Sequence, residues 1–132
     1  MYFNDDIGDP RMIRIRQLMS QDRPAEAEKL LRQVLENDPD NASFLALLAI
    51  IKAVIGEIDD AEQLIQRCLG MDPANLDYLI YYGRILLIKR DFVRSEKVVR
   101  EAIQIDPEEA DSHGLLGKIL HMQEAYKEAL IE

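Results

Sequence analysis

Apolar residues along this chain recur at intervals of three and four, in stripes broken at regular places. Ala61, Leu64, Ile65, Cys68 and Leu69 form one such stripe, the spacing of a single helix face. A nearly continuous apolar run, 44 to 55, precedes it and ends at Gly56. The plan returns further along the chain: Leu79 to Ile88, a polar break at Lys89, Arg90 and Asp91, then Phe92 to Ile105. Pro73 ends a helix, because the residue before proline is pushed out of helical conformation. Asn41 and Asn75 stand where the next helix needs an N-cap. No segment alternates with a period of two, and no turn signal marks a strand hairpin. The pattern predicts an all-α chain of helix pairs.

The pairs repeat. Asp38-Pro39, Asp72-Pro73 and Asp106-Pro107 are equally spaced along the chain. Ala27, Ala61, Ser95 and Ala129 keep the same step, as do Ala49, Gly83 and Gly117, and Leu48, Tyr82 and Leu116. The repeats fall at 8–41, 42–75, 76–109 and 110–132, after a short tail at 1–7, and the last is incomplete. One helix pair cannot bury its own apolar stripe, whereas stacked pairs can.

These residues resemble the tetratricopeptide repeat, a helix–turn–helix unit of about 34 residues. Unit two carries the pattern in Leu45, Leu48, Ala49, Ala61, Ile65 and Pro73, with Cys68 for the second small residue and Lys52 where an aromatic is usual. Unit three carries it in Leu79, Tyr82, Gly83, Leu86, Val99, Ala102 and Pro107, with Ser95 replacing Ala. Unit four carries it in Leu116, Gly117, Leu120, Tyr126 and Ala129, with His113 departing. Unit one matches through Ala27, Leu31, Val34 and Pro39, while Arg11 and Arg14 take normally apolar places, as suits a terminal unit. The resemblance implies a single domain, 1–132. Its expected fold is a right-handed α-solenoid of about 3.7 repeats, with seven helices and a short eighth beginning near Tyr126. It also implies a non-catalytic protein-interaction scaffold that takes a peptide or partner protein in its concave groove.

The small residues have a packing reason. Ala49, Gly83 and Gly117 fall where the two helices of a pair cross, and Ala27, Ala61 and Ala129 serve the second helix. Cys68 fills a small apolar slot and reads as an inert buried thiol.

Composition narrows the functions. The chain has 132 residues, 48% hydrophobic and 31% charged, enough for one domain with a real core. Its net charge of -9 disfavours binding to nucleic acid or to an anionic membrane surface. One Cys excludes a disulfide framework, and two His, eight residues apart, leave little for a metal site. No phosphate loop, HExxH or GxSxG occurs. No catalytic residue, cofactor or metal is expected. The acidic pairs Asp5-Asp6, Asp59-Asp60 and Glu108-Glu109 sit in the tail or at helix starts, where they favour the helix dipole. The N-terminus lacks a secretory pattern and no stretch is long enough to span a bilayer, so a cytoplasmic protein is expected.

Helical geometry then separates the faces of each first helix. Leu45, Leu48, Ala49 and Lys52 share the packing side. By resemblance the opposite side is the ligand face. Arg16, Ile50, Arg84 and Lys118 occupy one position of it, and Asp9, Ser43, Asp77 and Asp111 another. Met12, Ala46, Ile80 and Leu87 supply an apolar floor. The candidate partner-binding residues are therefore Met12, Arg16, Ala46, Ile50, Ile80, Arg84, Leu87 and Lys118, suited to a ligand with acidic and apolar groups. The competing reading pairs Arg84 and Lys118 with neighbouring acids such as Asp111. Where one subgroup of the family places Lys and Asn to clamp a C-terminal carboxylate, this chain has Met12, Arg16, Leu47, Asp77 and Tyr81, so that activity is not implied. Two alternatives stand beside the scaffold reading. One is self-assembly through an open C-terminal edge built on Leu116, Ile119 and Leu120. The other is a regulatory segment of a larger enzyme or membrane-anchored protein.

Overall fold

The computed structural model describes residues 9–131; the expected tail at 1–7, with Asp5 and Asp6, lies outside them. Seven helices and no strand occur among the described residues: α1 (Pro10–Ser20), α2 (Pro24–Asn37), α3 (Ala42–Val54), α4 (Ile58–Met71), α5 (Leu76–Ile88), α6 (Phe92–Ile105) and α7 (Ala110–Ile131). The architecture is the all-α helical-repeat class. The chain divides into two compact units at Leu64 and Ile65.

Local chemistry repeats with the sequence. The Asn41 side chain accepts from the Phe44 N–H at 3.3 Å and donates to Asp38 at 3.0 Å. Asn75 does the same with Tyr78 at 3.1 Å and Asp72 at 3.1 Å. In the first two Asp-Pro pairs the Asp thus holds the Asn that caps the following helix. At the other end of each first helix the chain turns through a left-handed residue: Asp22 (φ 58), Gly56 (φ 95) and Arg90 (φ 69), spaced by the same step as the Asp-Pro pairs. Behind each, an N–H reaches back along the helix to close a Schellman cap: Arg23 to Leu18 at 2.8 Å, Glu57 to Lys52 at 2.8 Å, Asp91 to Leu86 at 2.9 Å.

In the first unit α1 packs on α2 and α2 on α3. Met12, Ile15 and Leu18 meet Ala27, Leu31 and Val34, and Phe44, Leu47, Leu48 and Ile51 complete the core. Lys52 is a sequence-level anomaly with a structural answer. Its ammonium is buried between Glu28 and Glu57, 2.8 Å from each, and Glu28 also holds Arg32 at 2.6 Å. Two carboxylates replace the hydration an isolated buried cation would lose. Lys52 first, then Arg32, hold the Glu28 carboxyl below its ordinary value, and Glu28 first, then Glu57, hold Lys52 above its own.

In the second unit α5 packs on α6 and both contact α7. Gly83 leaves no room for a side chain against α6 and α7: a Cβ there would stand 2.5 Å from Val99 Cγ2 and 3.3 Å from Leu115 Cδ2. Ser95 is fully buried opposite it, and Ala27, Ala49 and Ala61, at corresponding places in earlier repeats, are also fully buried. Cys68 is buried too, and desolvation pushes its thiol up to about 11 against a small opposing effect of Arg67, so little thiolate exists at neutral pH.

The structure corrects the sequence reading at the C-terminal side. The expected break before a short eighth helix does not occur, and α7 runs unbroken for 22 residues. Residues 121–131 contain neither Gly nor Pro and are mostly strong helix formers, so nothing local stops the helix. Gly117 consequently faces open space, with nothing within 4 Å of an added Cβ, and Ala129 is exposed. Neither sits in the close crossing expected of it.

Candidate functional site

The second unit carries a groove of about 510 Å³ lined by Arg84, Leu87 and Ile88 of α5 and by Ala110, Asp111, Gly114, Leu115 and Lys118 of α7. Its walls follow from helix periodicity. Positions 84, 87 and 88 share one face of α5, and 111, 114, 115 and 118 one face of α7. Leu87 and Leu115 are buried and form the floor, Ile88 is half exposed, and the Gly114 wall is open. Arg84 and Lys118 are exposed and form no ion pair with any described residue. Asp111 shares the groove with them but accepts neither. Its own N–H donates to the Glu109 carboxylate at 2.6 Å, and its charge lies in the first turn of α7. The competing ion-pair reading of Arg84 and Lys118 is therefore not realised.

Other candidate residues fall elsewhere. Arg16 is exposed on α1 and Ile50 is half-buried on α3. Met12 (3% exposed), Ala46 (2%) and Ile80 (5%) are as buried as Leu87 but, unlike it, do not line this groove. Met12 belongs to the 12/15/18 stripe that faces α2 and α3. Ala46 sits on a helix enclosed almost all round, where Phe44 to Ala49 and Ile51 to Ala53 are all buried, as an all-apolar helix requires. Ile80 lies in the buried run 78–80.

A second concavity, about 320 Å³, was not legible in the sequence. Leu69, Pro73, Leu79, Tyr82, Arg94, Lys97, Val98 and Glu101 line it. At its base the Tyr82 hydroxyl accepts from Gln66 Nε2 at 2.9 Å and from Arg94, whose guanidinium lies over the Tyr82 ring. The residues that meet here, 66, 82 and 94, are too far apart in sequence for periodicity to join them.

Among the described residues no cluster of three or more His, Cys, Asp or Glu is placed to hold a metal ion. His113 Nε2 lies 2.6 Å from the Pro107 carbonyl oxygen. No helix among the described residues is long and apolar enough to cross a membrane.

Helix pairs that recur at one fixed step, capped and turned alike, define a helical-repeat protein. Residues 18–79 match the model of the tetratricopeptide repeat family. No curated protein sequence matches it. Among solved structures it is similar to a mutant O-GlcNAc transferase of Thermobaculum terrenum, with TM-score 0.79 and 23% identity over 92% of this chain. That match spans only 24% of the transferase chain. It is also similar to the Sgt2 TPR domain from Aspergillus fumigatus, with TM-score 0.78 and 14% identity over 96% of this chain and 83% of that one. A third is the second TPR domain of human RPAP3 in complex with an HSP70 peptide, with TM-score 0.71 and 15% identity over 83% of this chain and 91% of that one.

Proposed function

We propose that the chain is a non-catalytic scaffold that binds a protein segment bearing acidic and aliphatic side chains in the α5–α7 groove. The observation that carries this is the pair Arg84 and Lys118, two exposed cations with no acidic partner among the described residues, above an apolar floor of Leu87 and Leu115 on a chain of net charge -9. An uncompensated cation pair beside buried aliphatic side chains suits a carboxylate flanked by an apolar residue, which gains charge-assisted contacts and area together. Domains of the same fold solved with HSP70 and HSP90 peptides support the interaction class. Arg16 gives the first unit an exposed cation of its own. The cell compartment in this reading is the cytoplasm.

Fluorescence anisotropy with labelled decapeptides alternating Glu or Asp with Leu or Ile tests the reading. Acidic peptides bind and their Lys-substituted counterparts do not. Arg84→Glu weakens binding by about tenfold at low salt, with helicity unchanged. Equal binding of the basic peptides, or an unaffected Arg84→Glu, rejects it.

A further inference from the structure

We infer that residues 124–131 form a hinged arm. In this reading α7 exchanges between the continuous helix and a hairpin that turns at Glu124 and lays 125–131 over Leu116, Gly117 and Leu120.

The chain's own period sets the register. Asp22, Gly56 and Arg90 are the left-handed turn residues of the three hairpins, and the next equal step lands on Glu124, which is helical within α7. In the hairpin of α5 and α6, Ser95 Oγ touches the Gly83 carbonyl oxygen at 2.7 Å. The residues one period further on are Gly117 and Ala129, again two small groups. Leu86 and Phe92 flank that hairpin's turn at 0% and 8% exposure, while their counterparts Leu120 and Tyr126 stand at 42% and 47%. A Cβ on Gly117 meets nothing within 4 Å. The side chains needed to close a fourth hairpin are thus present in register, sized to fit and exposed.

The two states are held by different contacts. The continuous helix keeps its hydrogen bonds through 121–127, and its Tyr126 ring lies 5.5 Å from that of Phe92. The hairpin gives these up, puts a non-glycine residue into left-handed conformation, and covers Leu116 and Leu120. In the continuous state the face of Leu120 is available to a partner; in the hairpin it is not.

A disulfide trap reads the exchange directly. The protein carries Gly117→Cys and Ala129→Cys, with Cys68→Ala removing the native thiol. In the continuous helix the two positions are about 18 Å apart, from twelve residues at ~1.5 Å each. A disulfide needs Cα atoms within about 7 Å. Under mild oxidation of the folded monomer an intramolecular disulfide forms. Glu124→Gly raises its rate by about tenfold, because glycine adopts the left-handed turn readily and weakens the helix. Absence of an intramolecular disulfide, with both thiols still open to alkylation, overturns the inference. A disulfide only between molecules overturns it by assigning the face to a second copy. An unchanged rate in Glu124→Gly overturns it too, since the closure then comes from fraying and not from a turn at 124.

Discussion

The hydroxyl of Ser95 donates to the carbonyl oxygen of Gly83 at 2.7 Å, joining α6 to α5 beside a position with no room for a side chain. Gly83→Ala puts a Cβ 2.5 Å from Val99 Cγ2, so either the helices separate or Val99 moves. The expected loss is about 1–3 kcal/mol, the usual cost of overpacking. Adding Val99→Ala to Gly83→Ala makes room and recovers part of it. Urea unfolding of the two single variants and the double variant checks this, and additive losses contradict it.

Lys52 gives a second prediction, with a definite sign in pH. The Glu28 carboxyl is held below its ordinary value by Lys52 and Arg32. Its contribution is therefore complete above the unfolded carboxylate pKa, about 4.3, and is lost as pH falls through the lower folded value. The raised value of Lys52 acts oppositely: its contribution is complete below about 10.4 and lost as pH rises through the higher folded value. Lys52→Met at pH 7 leaves Glu28 and Glu57 without their shared cation and costs about 1–3 kcal/mol. Denaturation from pH 7 to pH 3 should show the variant losing less stability to acid than the parent protein. Parallel curves contradict the assignment.

Much of this fold is legible in the sequence because period and chemistry coincide. The Asp-Pro steps, the Asn caps and the small residues at 27, 61 and 95 all take the structural places that their spacing predicts. The groove is legible in part. Arg84, Leu87 and Lys118 meet because each is one period or one helical turn from the next. Met12, Ala46 and Ile80 fail for a common reason: a helical wheel states which side a residue faces, but not whether another element covers that side. Unit four fails for a different reason. Periodicity places a turn at Glu124, but no Gly or Pro between His121 and Ile131 favours a turn over a helix of strong formers, and the structure shows the continuous helix.

The turn residues themselves supply a paired prediction. Gly56 and Arg90 hold the same left-handed place one repeat apart, at φ 95 and φ 69. An arginine there carries a steric cost of about 1–2 kcal/mol that glycine avoids, offset by glycine's larger loss of freedom on folding, about 0.5–1 kcal/mol. Arg90→Gly should raise stability by a few tenths to about 1 kcal/mol, and Gly56→Ala should lower it by a similar amount. Thermal midpoints that move in the same direction for both variants contradict the shared conformation.

Gly114 separates the shape of the groove from its charge. It lines the groove beside Asp111 and Lys118, on an exposed stretch of α7, and an added Cβ meets nothing within 4 Å. A leucine at 114 therefore has room to fold, and replacing a glycine inside a helix should add about 0.8 kcal/mol of stability. The same side chain projects into the space between Arg84 and Lys118 and occupies part of the volume a ligand needs. Gly114→Leu should accordingly raise the unfolding midpoint while weakening acidic-peptide binding, and the weakening should persist at high salt, where the effect of Arg84→Glu fades as charges are screened. Calorimetric melting and anisotropy titrations at two ionic strengths measure both. A stabilised variant that binds peptide as well as the parent protein places the ligand outside the α5–α7 groove.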